Sequence, residues 1–225
     1  MKSAYETNGW HLVANALGDH EVASLIRTLS RFDNGRNHYG VRDLMHKVPA
    51  IRQLALSAPL LTTAKEVLGE TARPVRSVYF DKVPTANWNV AWHQDTSIAV
   101  KAKADIPGFG PWSEKQGIVH VEPPEEYLAR TLTLRVHLDR ADKENGALRV
   151  IPRSHRNGRV ASREILKIVE QAEVVECHAN PGDVLLMNPL LFHSSRKASK
   201  PCHRRIIHLE YSAMTLPEYL EWHEI

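Results

Sequence analysis

Residues 131–139 read TLTLRVHLD, in which polar and apolar side chains alternate strictly. The alternation predicts a β-strand with one polar and one apolar face, because successive side chains of a strand point to opposite sides of the sheet. Many short strands in succession predict a β-sandwich or barrel, with the jelly roll as the leading candidate. Six further runs with a strand pattern lie between turn residues: RPVRSVYFDKV (73–83), WNVAWHQD (88–95), ALRVIP (147–152), EVVECHA (173–179), DVLLMNPLLFHSS (183–195) and RRIIHLEYS (204–212).

The segment before these runs has a helical pattern instead. Helices are predicted over residues 20–31 and 50–68, with Pro59 separating two pieces of the second, and one more helix over 162–172. The predicted fold is therefore mainly β with flanking helices, a double-stranded β-helix (jelly roll, cupin-like). We expect a single domain over residues 1–225, made of a helical part over about 1–73, a jelly-roll core over about 74–213 and a C-terminal tail over 214–225.

Residues 97–130 are rich in proline, glycine and aromatic residues, as in IPGFGPW and EPPEEY. A connection of this length is typical of a lid or a substrate-binding wall. We therefore assign Trp112, which lies in this segment, to substrate binding.

The composition excludes several classes of protein. The 29 basic and 26 acidic residues give a net charge of only +3, which does not indicate a nucleic-acid-binding surface. Two cysteines in a chain of 225 residues do not form a disulfide framework, so a reducing compartment is expected. The first residues lack the apolar core of a signal peptide, and no run reaches the roughly 18 apolar residues that span a bilayer. We expect a cytoplasmic protein without membrane contacts, and its oligomeric state stays open.

The run WNVAWHQD contains the first candidate metal ligands. His93 and Asp95 are two residues apart in a predicted strand, so both side chains are expected on one face. His193 lies near the end of another strand pattern, and a late strand of a jelly roll can return beside an early one. Two histidines and one aspartate on one face of a metal leave three open positions, an arrangement typical of non-haem Fe(II) oxygenases, where a bidentate 2-oxo acid and O₂ bind. The alternative for His93 and Asp95 is a hydrogen-bonded pair in the core.

Arg204 follows His193 by eleven residues, at the start of RRIIHLEYS. If one hairpin carries both, the guanidinium fork can bind the distal carboxylate of 2-oxoglutarate with two hydrogen bonds, which a lysine cannot do as selectively. Ser195 shares the strand face of His193 and can donate its hydroxyl to the same carboxylate. The alternative for Arg204 is an exposed cation of that hairpin.

The order and spacing of WHQD (92–95), ENGALRVIPRSH (144–155) and the segment from His193 to Arg204 resemble the phytanoyl-CoA dioxygenase family of Fe(II)- and 2-oxoglutarate-dependent oxygenases. The resemblance covers roughly residues 75–213. It implies a double-stranded β-helix. It also implies metal ligands at His93, Asp95 and His193, and 2-oxoglutarate contacts from Arg204, Ser195 and Gln94.

Arg135 is a departure from this family pattern, because some members have an aromatic residue near the cofactor at this position. Thr133 and Arg135 share the polar face of residues 131–139. If that face looks into the barrel, Arg135 is a buried cation that requires an anion, and Thr133 lies on the cofactor side. We assign Thr133 to cofactor binding and Arg135 to substrate binding. The alternative is a polar outer face with a solvated arginine.

These observations predict an Fe(II)- and 2-oxoglutarate-dependent dioxygenase that hydroxylates a small metabolite, with release of succinate and CO₂. Arg135 favours an anionic substrate. Asp95 favours hydroxylation over halogenation, because the related halogenation route requires this carboxylate to be absent. Two alternatives stay open, namely a non-catalytic jelly-roll protein that binds a metal or a small anion, and an oxygenase that acts on a macromolecule.

Overall fold

The computed structural model describes residues 1–33 and 40–225. The predicted break in the second helical segment is confirmed, because one helix ends at Ala55 and Pro59 lies in the first turn of the next, where a missing N–H costs nothing. The helix predicted over 162–172 ends at Val169. The described helices are Lys2–Asn8 (α1), Asp19–Asp33 (α2), Leu44–Lys47 (α3), Pro49–Ala55 (α4), Ala58–Leu68 (α5), Glu125–Ala129 (α6) and Ser162–Val169 (α7).

The strands form three antiparallel sheets. A six-stranded sheet has the order β1-β11-β8-β13-β3-β2, a four-stranded sheet the order β10-β9-β12-β4, and a small sheet the order β5-β7-β6. The two larger sheets make the jelly roll. The strands are Trp10–Val13 (β1), Val41–Arg42 (β2), Arg73–Lys82 (β3), Val90–His93 (β4), Ile98–Val100 (β5), Trp112–Lys115 (β6), Ile118–Val121 (β7), Thr131–His137 (β8), Leu148–Val150 (β9), Val175–Cys177 (β10), Val184–Met187 (β11), His193–Ser195 (β12) and Arg204–Ser212 (β13).

The six-stranded sheet has two chemically different faces, as the alternation in β8 predicts. Leu132, Leu134 and Val136 of β8 pack in the main apolar core together with residues of α2, α4 and α5. Arg135, which points the other way, lines a cavity between the two larger sheets. The alternative of a solvated outer polar face for β8 is therefore wrong, because the helices cover the apolar face and leave the polar face to the barrel interior.

The N-terminal part is less helical than its sequence predicts. β1 pairs with β11, with Trp10 opposite Met187, and β2 pairs with β3, with Val41 opposite Tyr79. These strands of four and two residues complete the two edges of the six-stranded sheet. Runs this short show no recognisable hydrophobic periodicity, so these edge strands are identified only from their pairing with β11 and β3.

Residues 97–130 are not one long loop. They contain β5, β6, β7 and α6, and β6 and β7 are joined by a tight turn at Gln116 and Gly117, both with positive φ (56° and 76°). The apolar residues of this small sheet pack with Leu220 and Trp222 of the C-terminal tail.

The tail over residues 214–225 packs on its own chain. Val100 forms a β-bridge with Trp222, and the buried carboxylate of Glu224 accepts hydrogen bonds from the backbone N–H groups of Ser77 and Met45. Among the residues that the structure describes, no helix combines the length and the apolar character that crossing a bilayer requires.

Candidate active site

The three predicted metal ligands meet at the cavity between the larger sheets. β4 and β12 are antiparallel neighbours, and His93 lies directly opposite His193 in their register. Asp95 Oδ1 lies 3.8 Å from Nε2 of His93, and Asp95 Oδ2 lies 3.6 Å from Nε2 of His193. All three ligand atoms lie within 4.8 Å of one another, a spacing that can hold one metal ion.

Backbone carbonyl groups fix the orientation of both histidine rings. Nδ1 of His93 donates to the carbonyl oxygen of Ala91 at 2.9 Å, and Nδ1 of His193 donates to that of Leu191 at 2.8 Å. A carbonyl oxygen can only accept, so Nδ1 carries a proton in both rings and Nε2 is the nitrogen left to bind a metal. Burial lowers the pKa of His193 to about 4, which maintains the neutral form. Metal-binding histidines commonly have this arrangement of a backbone acceptor behind the ring.

Asp95 reaches this face by a different route from the one predicted. β4 ends at His93, so strand alternation does not orient Asp95. The backbone N–H of Asp95 instead donates to the carbonyl oxygen of Pro189 at 2.8 Å, which fixes the chain just beyond the strand. Burial alone would raise the pKa of Asp95, but His193 and His93 hold this pKa below its usual range. The carboxylate is therefore ionised, as a metal ligand must be.

Gln94 lines the cavity, but its amide group is already hydrogen-bonded to the backbone. Its Nε2 donates to the carbonyl oxygens of Gly158 and Leu190 at 2.8 and 2.7 Å, and its Oε1 accepts from the N–H of Val160 at 2.8 Å. Both donor hydrogens are used. These hydrogen bonds support a role for Gln94 in positioning the backbone between His93 and Asp95, rather than the predicted contact with 2-oxoglutarate.

Arg204 does not share a hairpin with His193. β12 lies in the four-stranded sheet and β13 in the six-stranded sheet, so the hairpin prediction is corrected: the connection crosses between the sheets. Arg204 faces the metal-ligand cluster across the cavity and is 4% exposed, which excludes the alternative of an exposed cation. One Nη1 hydrogen bond goes to the carbonyl oxygen of Gly146, while Nε is buried without a partner in the described residues. An arginine with an unused buried donor fits a site that receives a carboxylate.

Lys82, Ser195 and Arg204 lie at the same inner part of the barrel. Nζ of Lys82 donates to Oγ of Ser195 at 2.8 Å and to the carbonyl oxygen of Arg196 at 2.6 Å. Burial, together with Arg204 and Arg135, lowers the pKa of Lys82 to about 7. Thr133 is fully buried on the inward face, and its hydroxyl has no partner among the described residues, but it does not line the cavity. The contacts of Ser195 and Thr133 with a cofactor stay predictions.

Lys82 is expected to make stability depend on pH. Its pKa is about 7 in the folded chain and about 10.4 in an unfolded one. Between these values the unfolded state binds more protons, so the free energy of unfolding rises with pH, by at most about 1.4 kcal/mol per unit. Urea unfolding of the metal-free protein at pH 7 and pH 9 should show a smaller pH effect for Lys82→Met than for the original chain. The exposed Lys103→Met serves as control, and equal pH effects in all three proteins would contradict the assignment.

A hydrogen-bonded row crosses the six-stranded sheet below the metal-ligand cluster. Nη1 of Arg135 donates to Nδ1 of His208 at 3.1 Å, and Nε2 of His208 lies 3.2 Å from Oε1 of Glu210. The same oxygen accepts from Nη1 of Arg76 at 2.8 Å. Because Nδ1 of His208 accepts, Nε2 carries its proton and the ring is neutral. The ring is thus the only described partner of Arg135, whose Nε is buried and unpaired, so the anion that this buried cation requires is still to be supplied.

The cavity has a volume of about 340 Å³, within the range of small-molecule sites. Trp112 does not line it. The side chain packs with the apolar cluster of the small sheet, whereas Lys115, three residues later and therefore on the other face of β6, reaches the cavity. The assignment of Trp112 to the substrate is corrected for this reason.

Five titratable residues of the cavity lining were not predicted as site residues. The alternation in RPVRSVYFDKV and RRIIHLEYS places Arg76 on the inward face of β3, and His208 and Glu210 on that of β13, so a reading of both strand faces could have found them. Arg42 and Lys115 have no such signal, because β2 is only two residues long and β6 lies in a segment predicted as loop.

A jelly roll with two histidines and one aspartate on one face of a cavity between its sheets places the protein in the class of metal-dependent, cupin-like proteins. The phytanoyl-CoA dioxygenase family model matches residues 5–206, and the chain belongs to this family. Among curated proteins, none has a significant sequence match.

Solved structures share the fold at low sequence identity. EctD from S. alaskensis, solved with 2-oxoglutarate and 5-hydroxyectoine, is 19% identical over 94% of this chain and 74% of its own, with a TM-score of 0.73. SnoK, a non-haem α-ketoglutarate-dependent carbocyclase from nogalamycin biosynthesis, is 16% identical over 93% of this chain and 81% of its own, with a TM-score of 0.73. HygX from Streptomyces hygroscopicus, solved with nickel and 2-oxoglutarate, is 20% identical over 96% of this chain and 84% of its own, with a TM-score of 0.67.

Proposed function

We propose that this chain is an Fe(II)- and 2-oxoglutarate-dependent oxygenase that hydroxylates a small metabolite. The observation that carries the proposal is the convergence of the Nε2 atoms of His93 and His193 with the carboxylate of Asp95 in a cavity that also exposes the guanidinium of Arg204. Family membership and the metal- and 2-oxoglutarate-bound structures of similar fold support it.

The residues present fit these cofactors. His93, Asp95 and His193 would hold Fe(II) on one face, since both imidazole Nε2 lone pairs are free and the carboxylate is ionised. Bound Fe(II) with 2-oxoglutarate supplies the oxidation of a substrate C–H bond by O₂, with release of succinate and CO₂. Arg204 would bind the distal carboxylate with its guanidinium, and Ser195 would donate its hydroxyl to it.

Asp95 supports hydroxylation over halogenation, because its carboxylate fills the position that a halide would otherwise require. The protein residues that decide between hydroxylation and other outcomes are those that orient the substrate. SnoK is described as a carbocyclase, so this fold accommodates more than one outcome. We place one end of the substrate on the side of the cavity formed by β2, β3 and β6, because Arg204, which would bind 2-oxoglutarate, lies on the opposite, inner side. A contact between the substrate and Arg135 stays a prediction.

A small molecule is the substrate class that the cavity supports best. Its volume of about 340 Å³ is small, and the metal-ligand cluster lies between the two larger sheets. The balanced charge of the chain offers no basic stripe for a nucleic-acid backbone. Salt-dependent binding of an oligonucleotide by the purified protein would favour the macromolecular alternative instead.

The proposed function is tested by adding Fe(II) and 2-oxoglutarate to the purified protein without oxygen. We expect a visible metal-to-ligand charge-transfer band that requires both additions, and succinate after oxygen is admitted. Zn(II) in place of Fe(II) is the control that occupies the ligands without producing the band. Absence of both the band and succinate would replace the proposal with the alternative of a non-catalytic metal- or anion-binding jelly roll.

A further inference from the structure

Positive charge is in excess in the cavity. Fe(II) and the dianion of 2-oxoglutarate neutralise each other, so their binding leaves this excess unchanged. Buried or partly buried cations without a counter-ion are unfavourable, and a bound anion removes the penalty. The cavity lining contains five cationic side chains, the buried Arg135 and Arg204, the partly buried Arg42 and Arg76 and the exposed Lys115, against the two carboxylates of Asp95 and Glu210.

The five cations form two separate groups. Burial, and then the charge of Arg135, lowers the pKa of Arg204, and burial together with both arginines lowers the pKa of Lys82, so these cations lie close together at the inner side of the barrel. Arg42, Arg76 and Lys115 form the outer group, at the edge made by β2, β3 and β6. Arg204 is assigned to the distal carboxylate of 2-oxoglutarate and the substrate contact of Arg135 stays a prediction, so the outer group has no assigned ligand.

Contacts between β2, β3 and the β6–β7 turn position the outer group at the cavity that contains the metal ligands. Arg42 lies opposite Val78 in the pairing of β2 with β3, and Val78 lines the cavity, so the two side chains share the inward face. Gln116 joins the β6–β7 turn to this edge, because its Oε1 accepts from the N–H of Arg42 at 3.2 Å and its Nε2 donates to the carbonyl oxygen of Gly40 at 2.7 Å. These two hydrogen bonds hold the β6–β7 turn, and Lys115 beside it, at the same side of the cavity as Arg42.

Two members of the outer group have no partner among the side chains that the structure describes. Arg76 donates to Glu210 at 2.8 Å. The guanidinium of Arg42 and the ammonium of Lys115 form no hydrogen bond or ion pair with any other side chain in residues 1–32 and 40–225. Burial, and then the charge of Arg76, lowers the pKa of both Arg42 and Lys115. Like charges held together on one wall, with free donors directed at a cavity, favour an anionic ligand.

We propose that Arg42, Arg76 and Lys115 form a subsite that binds an anionic group of the substrate, a carboxylate or a phosphate, and so orients the substrate toward the metal ligands. This inference rests on the proposed function. Arg42 and Lys115 supply the free donors, and Arg76 is held in place by Glu210. The substrate is therefore a small anionic metabolite that is short enough for its charged group to reach this subsite while its reacting C–H bond lies at the metal ligands.

The test uses the anaerobic protein with Fe(II) and 2-oxoglutarate bound, and two probes, inorganic phosphate and acetate, at constant ionic strength. Calorimetric titration should show that the complex binds at least one of them, and the tighter probe indicates the chemical class of the group. Arg42→Gln/Lys115→Gln should weaken that binding about tenfold or more, as expected for the loss of charge-assisted hydrogen bonds. Arg42→Lys/Lys115→Arg, which keeps both charges, should restore most of it, and the exposed Lys103→Gln should change nothing.

The outcomes separate this inference from the proposed function. If the charge-transfer band never forms, the proposed function fails. If the band forms but neither probe binds, or the double glutamine variant binds the probe as well as the original chain, the subsite is refuted. A several-fold rise in the 2-oxoglutarate concentration that gives half of the band, in the double glutamine variant, would also refute it, because these cations would then serve the cofactor.

Discussion

Replacement of His193 by alanine is expected to abolish the charge-transfer band that depends on Fe(II) and 2-oxoglutarate, and to lower succinate formation by at least about 10²-fold. Loss of a residue that only supports a metal ligand already reduces metal affinity or activity about 10- to 100-fold, so loss of a ligand itself should cost at least as much. The physical reason is the loss of the Nε2 lone pair opposite Asp95, with 3.6 Å between the two ligand atoms. Two remaining ligands cannot hold the ion in a fixed orientation. The measurements are anaerobic absorption spectra and succinate quantification.

The matched control is His178→Ala, which removes an exposed histidine that lies outside the cavity and forms an ion pair with Glu176 when protonated. Both variants should stay folded, but His193→Ala should unfold at a somewhat lower urea concentration, because it loses the hydrogen bond to the carbonyl oxygen of Leu191 and the ring contact with His93. An intact band in a folded His193→Ala protein would show that the metal binds elsewhere.

Replacement of Arg204 by lysine is expected to raise the KM for 2-oxoglutarate about 10²-fold while leaving Fe(II) binding in place. Lysine keeps the positive charge but loses the planar fork that binds a carboxylate with two parallel hydrogen bonds. Loss of such charge-assisted bonds costs about 1.5–3 kcal/mol each, and about 1.4 kcal/mol corresponds to a tenfold change. Titration of the charge-transfer band with 2-oxoglutarate measures the effect directly.

Arg205→Lys is the control on the neighbouring residue. The side chain of Arg205 is on the opposite face of β13 and binds Asp139 through Nε at 2.8 Å and Nη2 at 2.7 Å. This variant should lose some stability and keep its affinity for 2-oxoglutarate. Similar KM values for both lysine variants would remove Arg204 from the cofactor site.

The candidate metal ligands could be predicted because each lies in a segment with a strong local pattern. WHQD supplies an imidazole and a carboxylate close together in the chain, and His193 ends an apolar strand. The reason given for Asp95 was incomplete, however. The strand ends before this residue, and a hydrogen bond to Pro189, almost a hundred positions later in the chain, fixes its position. No local pattern contains such a contact.

The errors at Trp112 and Arg204 have the same origin. Trp112 was assigned to the substrate because its segment has a loop composition, but the segment folds into a small sheet whose alternation turns Lys115 inward instead. Arg204 was correctly expected near His193, but through a hairpin. In the fold the two residues belong to different sheets and face each other across the cavity.

The sequence by itself determined the class of fold, the family and the residues that can bind the metal, because these depend on strand periodicity and on motifs whose order is preserved along the chain. Only the tertiary structure decided which way the polar face of β8 looks, since the helices cover one face and leave the other to the barrel. It also decided which cations share the cavity. Arg42 and Lys115 are more than seventy residues apart and meet only because Gln116 hydrogen-bonds the β6–β7 turn to β2, a contact that depends on three-dimensional register rather than on local propensity.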